Sequence, residues 1–116
     1  MTVSIYHNPR CSKSRQTLAL LEERGIAPDI IEYLQTPPAA DTLAELAKGL
    51  GISLHELMRT GEDAYKAARA EVDAMDDAAL AEWLSKNPQV IQRPIVVTEK
   101  GVRIGRPPEA VVEILA

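Results

Sequence analysis

Cysteine is almost absent from this chain: Cys11 is the only one in 116 residues. An intramolecular disulfide is therefore excluded, and with only two histidines beside that one thiol no zinc-ligand spacing can be assembled. Long apolar runs are missing as well. No segment approaches the roughly 20 apolar residues of a membrane span, and Met1 to Tyr6 lacks the basic flank and apolar length of a signal peptide. The expected setting is a reducing cytoplasm, with no membrane partner. Nor is there a surplus of positive charge, since 17 acidic residues against 13 basic ones leave a formal net charge of −4. Nucleic-acid binding gets little electrostatic support from such a balance. Repeats, low-complexity tracts and linkers are absent too, and the length suits one domain of residues 1–116, because compact domains cluster at about 100 to 150 residues.

What is present gathers around the lone thiol. Tyr6-His7-Asn8-Pro9-Arg10-Cys11-Ser12-Lys13-Ser14-Arg15 follows a short apolar segment and leads into Thr17-Leu18-Ala19-Leu20-Leu21, a helix-like run. Pro9 stops a strand, and Ser12 and Ser14 read as a first helical turn, so Cys11 falls at a helix N-terminus. Unpaired backbone N–H groups and the positive end of the helix dipole favour a thiolate there and welcome an oxyanion. Arg10, Lys13 and Arg15 add positive charge in the same turn. A lone cysteine is ordinarily a small buried hydrophobe. Three cations, two hydroxyls and a histidine are poor company for one, since each needs a partner when taken out of water. The reading is a reactive thiolate. Further arginines, Arg59, Arg93, Arg103 and Arg106, lie away from the acidic run Glu71 to Glu82, which fits a small anionic substrate better than a long polyanion.

The rest of the chain supplies a frame. Thr2 to Tyr6 alternates as a strand, a helix follows that Gly25 should end, and Asp29 to Leu34 is a second strand able to lie beside the first through a right-handed crossover. From about residue 41 to 89 the pattern is helical. Thr42 with Glu45, and Ser53 with Glu56, are spaced as capping boxes, and Asp76-Asp77 opens a helix that Asn87-Pro88 should close. Pro94 to Val97, a turn at Glu99-Lys100-Gly101 and Val102 to Ile104 form a hairpin signal, and Pro108 to Leu115 reads as a closing helix. This order, βαβ, helices, then ββα, predicts an α/β thioredoxin-like (glutaredoxin-like) mixed sheet with a helical insertion.

His7-Asn8-Pro9-x-Cys11-x-x-Ser14, Leu57-Met58-Arg59, Arg93-Pro94-Ile95-Val96-Val97 and Arg106-Pro107, taken together and in this order, resemble the glutaredoxin-linked arsenate reductase (ArsC) family over nearly the whole chain. The resemblance implies Cys11 as nucleophile, Arg59, Arg93 and Arg106 as oxyanion ligands, His7 and Ser14 as groups that tune the thiolate, and a cis Arg93–Pro94 bond. Guanidinium forks suit arsenate, since they bind paired oxygens and stay charged. His7, if protonated, would lower the Cys11 pKa by charge, and Ser14 could donate to the sulfur. Reducing arsenate takes two electrons, which thiols deliver by ending as a disulfide, and this chain holds one thiol. The second must be external, which makes glutathione the co-substrate, with no bound cofactor or metal, and a glutaredoxin the recycling partner. The phosphatase-like arsenate reductases use a Cys-x5-Arg loop and further cysteines, whereas Cys11 to Arg15 is Cys-x3-Arg. The plasmid-borne members carry Ala before the cysteine where this chain has Arg10. Two rivals are weighed against this reading. A redox regulator of RNA polymerase of the Spx type senses through Cys-x-x-Cys, which Ser14 removes. A monothiol glutaredoxin, as thiol oxidoreductase or iron–sulfur carrier, would carry Gly-Gly-x-Asp where Gly105-Arg106-Pro107-Pro108 stands.

Overall fold

The computed structural model describes residues 2–115. Two compact units divide the chain, Met1–Thr36 with Arg93–Ala116 as one and Pro37–Gln92 as the other.

In the first unit, strand β1 (Ser4–Tyr6) leads to helix α1 (Ser12–Glu23), which returns the chain to strand β2 (Asp29–Ile31). Strands β3 (Ile95–Thr98) and β4 (Gly101–Ile104) form the hairpin. Sheet order is β2-β1-β3-β4, with β1 parallel to β2 and antiparallel to β3, and β3 antiparallel to β4. This is the mixed α/β, thioredoxin-like arrangement that the element order predicts. Helix α1 ends where glycine permits it: Gly25 takes φ +75°, its N–H bonds Glu22 O at 3.0 Å, and Ile26 N–H bonds Leu21 O at 3.0 Å. The paired bonds are those of a Schellman end, which satisfies two carbonyls the helix cannot pair internally. The core joins Ile5 and Val96 of the central strands, Leu21 of α1, and Val111 and Ile114 of the closing segment, with Val3 and Leu115 around them. Full burial of each such side chain contributes about 1.5–3 kcal/mol.

Strand β2 stops at Ile31, three residues short of the expected Leu34. His7 N–H donates to Ile31 O at 2.8 Å, and beyond that bond Asn8-Pro9 leaves the sheet, so β2 has no partner. Glu32 O instead accepts from Gln35 and Thr36 N–H in a turn. The closing segment, Pro108–Ile114, is a 3₁₀-helix rather than the expected helix of ordinary pitch. Its fully packed residues, Pro108, Val111 and Ile114, recur every third position, which matches three residues per turn.

The second unit holds α2 (Ala40–Leu50), a 3₁₀ turn (His55–Leu57), α3 (Asp63–Asp73), α4 (Asp77–Lys86) and a 3₁₀ turn (Pro88–Val90). Helix α2 buries Leu43, Leu46 and Ala47 as its stripe predicts, but Thr42 and Glu45 do not cap it. The helix winds from Ala40, one residue beyond Pro37-Pro38, so Thr42 lies inside it; Ala39 is its N-cap and offers no side-chain acceptor. The second box does form, with Glu56 N–H on Ser53 Oγ and Ser53 N–H on Glu56 Oε1, each at 3.2 Å, though it caps only a single 3₁₀ turn. Asp76 caps α4, accepting from Ala79 N–H at 2.9 Å. Helix α3 had no clear sequence signal, because it buries only Tyr65 and Val72.

Candidate active site around Cys11

Strand register brings four segments to one end of the first unit's sheet. Tyr6 pairs with Ile31 and Ile95, and Ile95 with Ile104. One step past those residues lie the His7-to-Cys11 loop, Glu32, Pro94 and Gly105. The hairpin stays joined beyond its strands, since Gly105 N–H donates to Pro94 O at 2.9 Å. Arg93 and Arg106 therefore leave the same end as the thiol. Both of their following bonds, Arg93–Pro94 and Arg106–Pro107, are cis.

Cys11 is the N-cap residue of α1, half-buried and free, and no acidic residue sits in the first turn. Its thiol makes no capping hydrogen bond of ordinary geometry, yet the Ser14 and Lys13 N–H groups of the first turn act on it. Its pKa is lowered from that of an ordinary thiol. Burial is the largest single influence and acts the other way; it is outweighed together by Ser14 N–H, a hydrogen bond from the Arg93 side chain, Lys13 N–H and the Arg93 charge. The side chain that acts on the sulfur is thus Arg93, distant in sequence, and not Arg10, Lys13 or Arg15. Arg15 instead donates from Nη1 to Pro9 O at 2.9 Å and braces the loop.

His7 and Ser14 meet, but not on the sulfur. His7 Nδ1 and Ser14 Oγ share one proton across 2.6 Å in the interior, and Asn8 N–H donates to the same Oγ at 3.0 Å. Burial lowers the His7 pKa, Glu32 raises it and Arg15 lowers it, with a net fall. The imidazole is neutral near neutral pH, so the charge effect expected of a protonated His7 is not exerted. What Ser14 gives the thiolate is its backbone N–H; its hydroxyl holds the loop that carries Cys11. Asn8 completes that loop by accepting Arg10 N–H on Oδ1 at 3.0 Å, an Asx turn for which Asn-Pro was the available sequence signal.

The role of Gly105 had no sequence signal. A Cβ there would stand 2.5 Å from Thr17 Oγ1 and 2.9 Å from Pro94 Cγ, so α1 and the proline loop close on it. Thr17 Oγ1 is already committed to Lys13 O at 2.8 Å, in the turn that supports the thiol. Gly105→Ala is expected to lower stability by about 1–3 kcal/mol, as overpacking does, in urea denaturation, and to shift the pH midpoint of Cys11 alkylation upward. An unchanged urea midpoint would contradict this packing.

Arg106 is exposed and bonds no side chain among the described residues. Arg59 belongs to the second unit. There Arg59 N–H donates to Val90 O at 2.6 Å, and Nη1 is buried with no hydrogen-bond partner among the described residues. An orphaned guanidinium donor of this kind is what an anion satisfies. Among those residues no cluster of three His, Cys, Asp or Glu side chains could hold a metal ion, and no helix is long and apolar enough to cross a membrane.

Relatives place this geometry in a lineage. The chain is 51% identical over 114 residues to the uncharacterised YfgD protein of Escherichia coli K12, covering 97% of this chain and 96% of that one. It is 47% identical over 116 residues to a Haemophilus influenzae protein named arsenate reductase, covering 99% and 100%. A solved structure of an arsenate reductase from Vibrio cholerae superposes with a TM-score of 0.93 at 48% identity, covering 99% and 98%. The model of the ArsC family matches residues 6–114, and with a thiolate cap, an arginine beside it and these relatives, the chain belongs to the ArsC family.

Proposed function

We propose that this protein is an oxidoreductase that reduces arsenate to arsenite, with glutathione as co-substrate and a glutaredoxin as recycling partner in the cytoplasm. The observation that carries the reading is the Cys11 thiol, half-buried at a helix N-terminus and held toward thiolate by Arg93 despite its burial. Arsenate is seated by Arg93 and Arg106 beside the positive end of α1, which together stabilise spread negative charge.

Cys11 thiolate attacks arsenic, forming an S–As bond as one oxygen leaves as water. Glutathione thiolate then attacks the Cys11 sulfur. An S–S bond forms, the S–As electron pair passes to arsenic, As(V) becomes As(III), and arsenite departs. A second glutathione, or a glutaredoxin thiol, attacks the mixed disulfide and releases Cys11. Two thiols lose two electrons, arsenic gains two, and the sum is arsenate plus two glutathiones giving arsenite, glutathione disulfide and water. With one cysteine in the chain, the second thiol is necessarily external.

The test is turnover with arsenate, glutathione and glutaredoxin, coupled to NADPH oxidation through glutathione reductase, with arsenite measured directly. Arsenite formation that requires glutathione, with a single glutathionyl adduct on Cys11 in intact mass after quenching, is the expected result. No arsenite under any thiol, or an unmodified Cys11 during turnover, would sink the proposal.

A further inference from the structure

Beside the Cys11 loop the first unit holds a second polar feature that arsenate chemistry does not use. A cavity of about 210 Å³ opens between the His7-to-Arg10 loop and the turn bearing Glu32, Leu34 and Gln35. It begins one residue from the nucleophile. Neither Arg10 nor Glu32 nor Gln35 spends its side chain on a hydrogen bond or ion pair among the described residues, and Leu34 is 42% exposed at its edge. Besides His7, Asn8 and Pro9 of the loop, one cation, one anion, one further amide and one aliphatic residue thus line a single small space. An oxyanion does not suit it, because Glu32 repels negative charge.

We infer that this cavity is the subsite for the γ-glutamyl arm of glutathione, with Arg10 on its α-carboxylate and Glu32 on its ammonium. The inference rests on the glutathione-dependent reading above and names where that thiol docks. Glutathione has two dissimilar arms. The γ-glutamyl head carries both charges on one carbon, which matches an Arg and a Glu lining the same space, whereas the glycyl end carries a carboxylate alone and would meet Glu32 unfavourably. Size agrees. Cavities for whole drug-sized ligands run to about 300–1,000 Å³, so 210 Å³ accommodates one arm and leaves the thiol outside. A tripeptide stretches over about 10 Å, and Arg10 directly precedes Cys11, so a head group held there leaves the glutathione sulfur within reach of the Cys11 sulfur.

The experiment compares three thiols at equal thiolate concentration: glutathione, γ-glutamylcysteine, which keeps the zwitterionic head, and cysteinylglycine, which lacks it. γ-Glutamylcysteine is expected to match glutathione in KM within a few-fold, and cysteinylglycine to be poorer. Charge-assisted hydrogen bonds are worth about 1.5–3 kcal/mol, so Arg10→Ala and Glu32→Gln should each raise the KM for glutathione about tenfold or more and erase the preference between the two dipeptides. A second readout needs no turnover. S-methylglutathione, which cannot react, should give saturable amide NMR shifts at Arg10, Glu32 and Gln35 that both variants weaken. Cysteinylglycine performing as well as glutathione, or shifts that are absent or indifferent to both substitutions, would overturn the subsite. If no thiol supports arsenite formation the proposed reaction falls, and the NMR titration still decides the subsite alone.

Discussion

Cys11→Ser is expected to abolish arsenite formation, on the order of a thousandfold or more in kcat, as removal of a nucleophile does in enzymes that act through one. A serine oxygen can form neither the S–As bond nor the disulfide that carries the two electrons. The same substitution should leave the fold intact or firmer. Cys11 occupies the N-cap of α1 without a fully formed capping bond, and serine is among the preferred N-cap residues. Urea denaturation is therefore expected to show equal stability, or a gain of up to about 1 kcal/mol. Activity and stability then move independently, which separates a chemical role from a structural one. Full turnover in the serine variant would remove Cys11 from the mechanism.

Arg93→Ala carries the second largest expected effect. Arg93 acts on the sulfur twice, by a hydrogen bond and by charge, and both favour thiolate. Loss of a donor aimed at developing negative charge typically lowers turnover by about 10²–10³-fold, and kcat/KM for arsenate should fall by that order. The pH dependence of alkylation by iodoacetamide supplies the independent reading. Thiolate is the reacting form, so the rate rises with pH through the Cys11 pKa, which lies below the ordinary thiol range in the wild type. Removing Arg93 moves that midpoint upward. Below both midpoints the two proteins react slowly; between them the variant lags; above both they converge. Arg93→Lys should fall between, since it restores charge without the planar fork. A variant midpoint equal to that of the wild type would mean that Arg93 does not hold the thiolate.

Placing His7 off the sulfur has a mechanistic consequence. A neutral, buried imidazole paired with Ser14 fixes the loop without adding charge, so the electrostatic part of thiolate stabilisation falls to Arg93 and to helix N–H groups. Backbone dipoles of this kind are fixed by the fold and need no reorganisation during reaction. A loop held by Asn8, Ser14, His7 and Arg15 keeps those N–H groups aimed at one point.

Local signals in the chain determined a good deal. Gly25 ended α1, Asp76 capped α4, and Ser53 with Glu56 formed their reciprocal pair, because each is settled within a few residues by backbone conformation and one or two hydrogen bonds. A single cysteine at the start of a helix, among cations, was equally legible, as was the α/β order of elements. The Thr42–Glu45 spacing misled, since a capping box is useful only where the chain enters the helix, and Pro37-Pro38 moved that entry earlier. What only the tertiary structure decided were the relations across the sheet. Three cations crowd Cys11 in sequence, yet strand register delivered Arg93 to the sulfur, while Arg15 turned back on its own loop. Gly105 closes on Thr17 and Pro94 for the same reason, and Arg10 and Glu32 line one cavity although α1 and β2 lie between them along the chain. Charge and capping act over a turn of chain and can be read from neighbours; which side chain reaches which atom depends on how strands pair, and that is fixed only when the core around Ile5, Leu21 and Val96 packs.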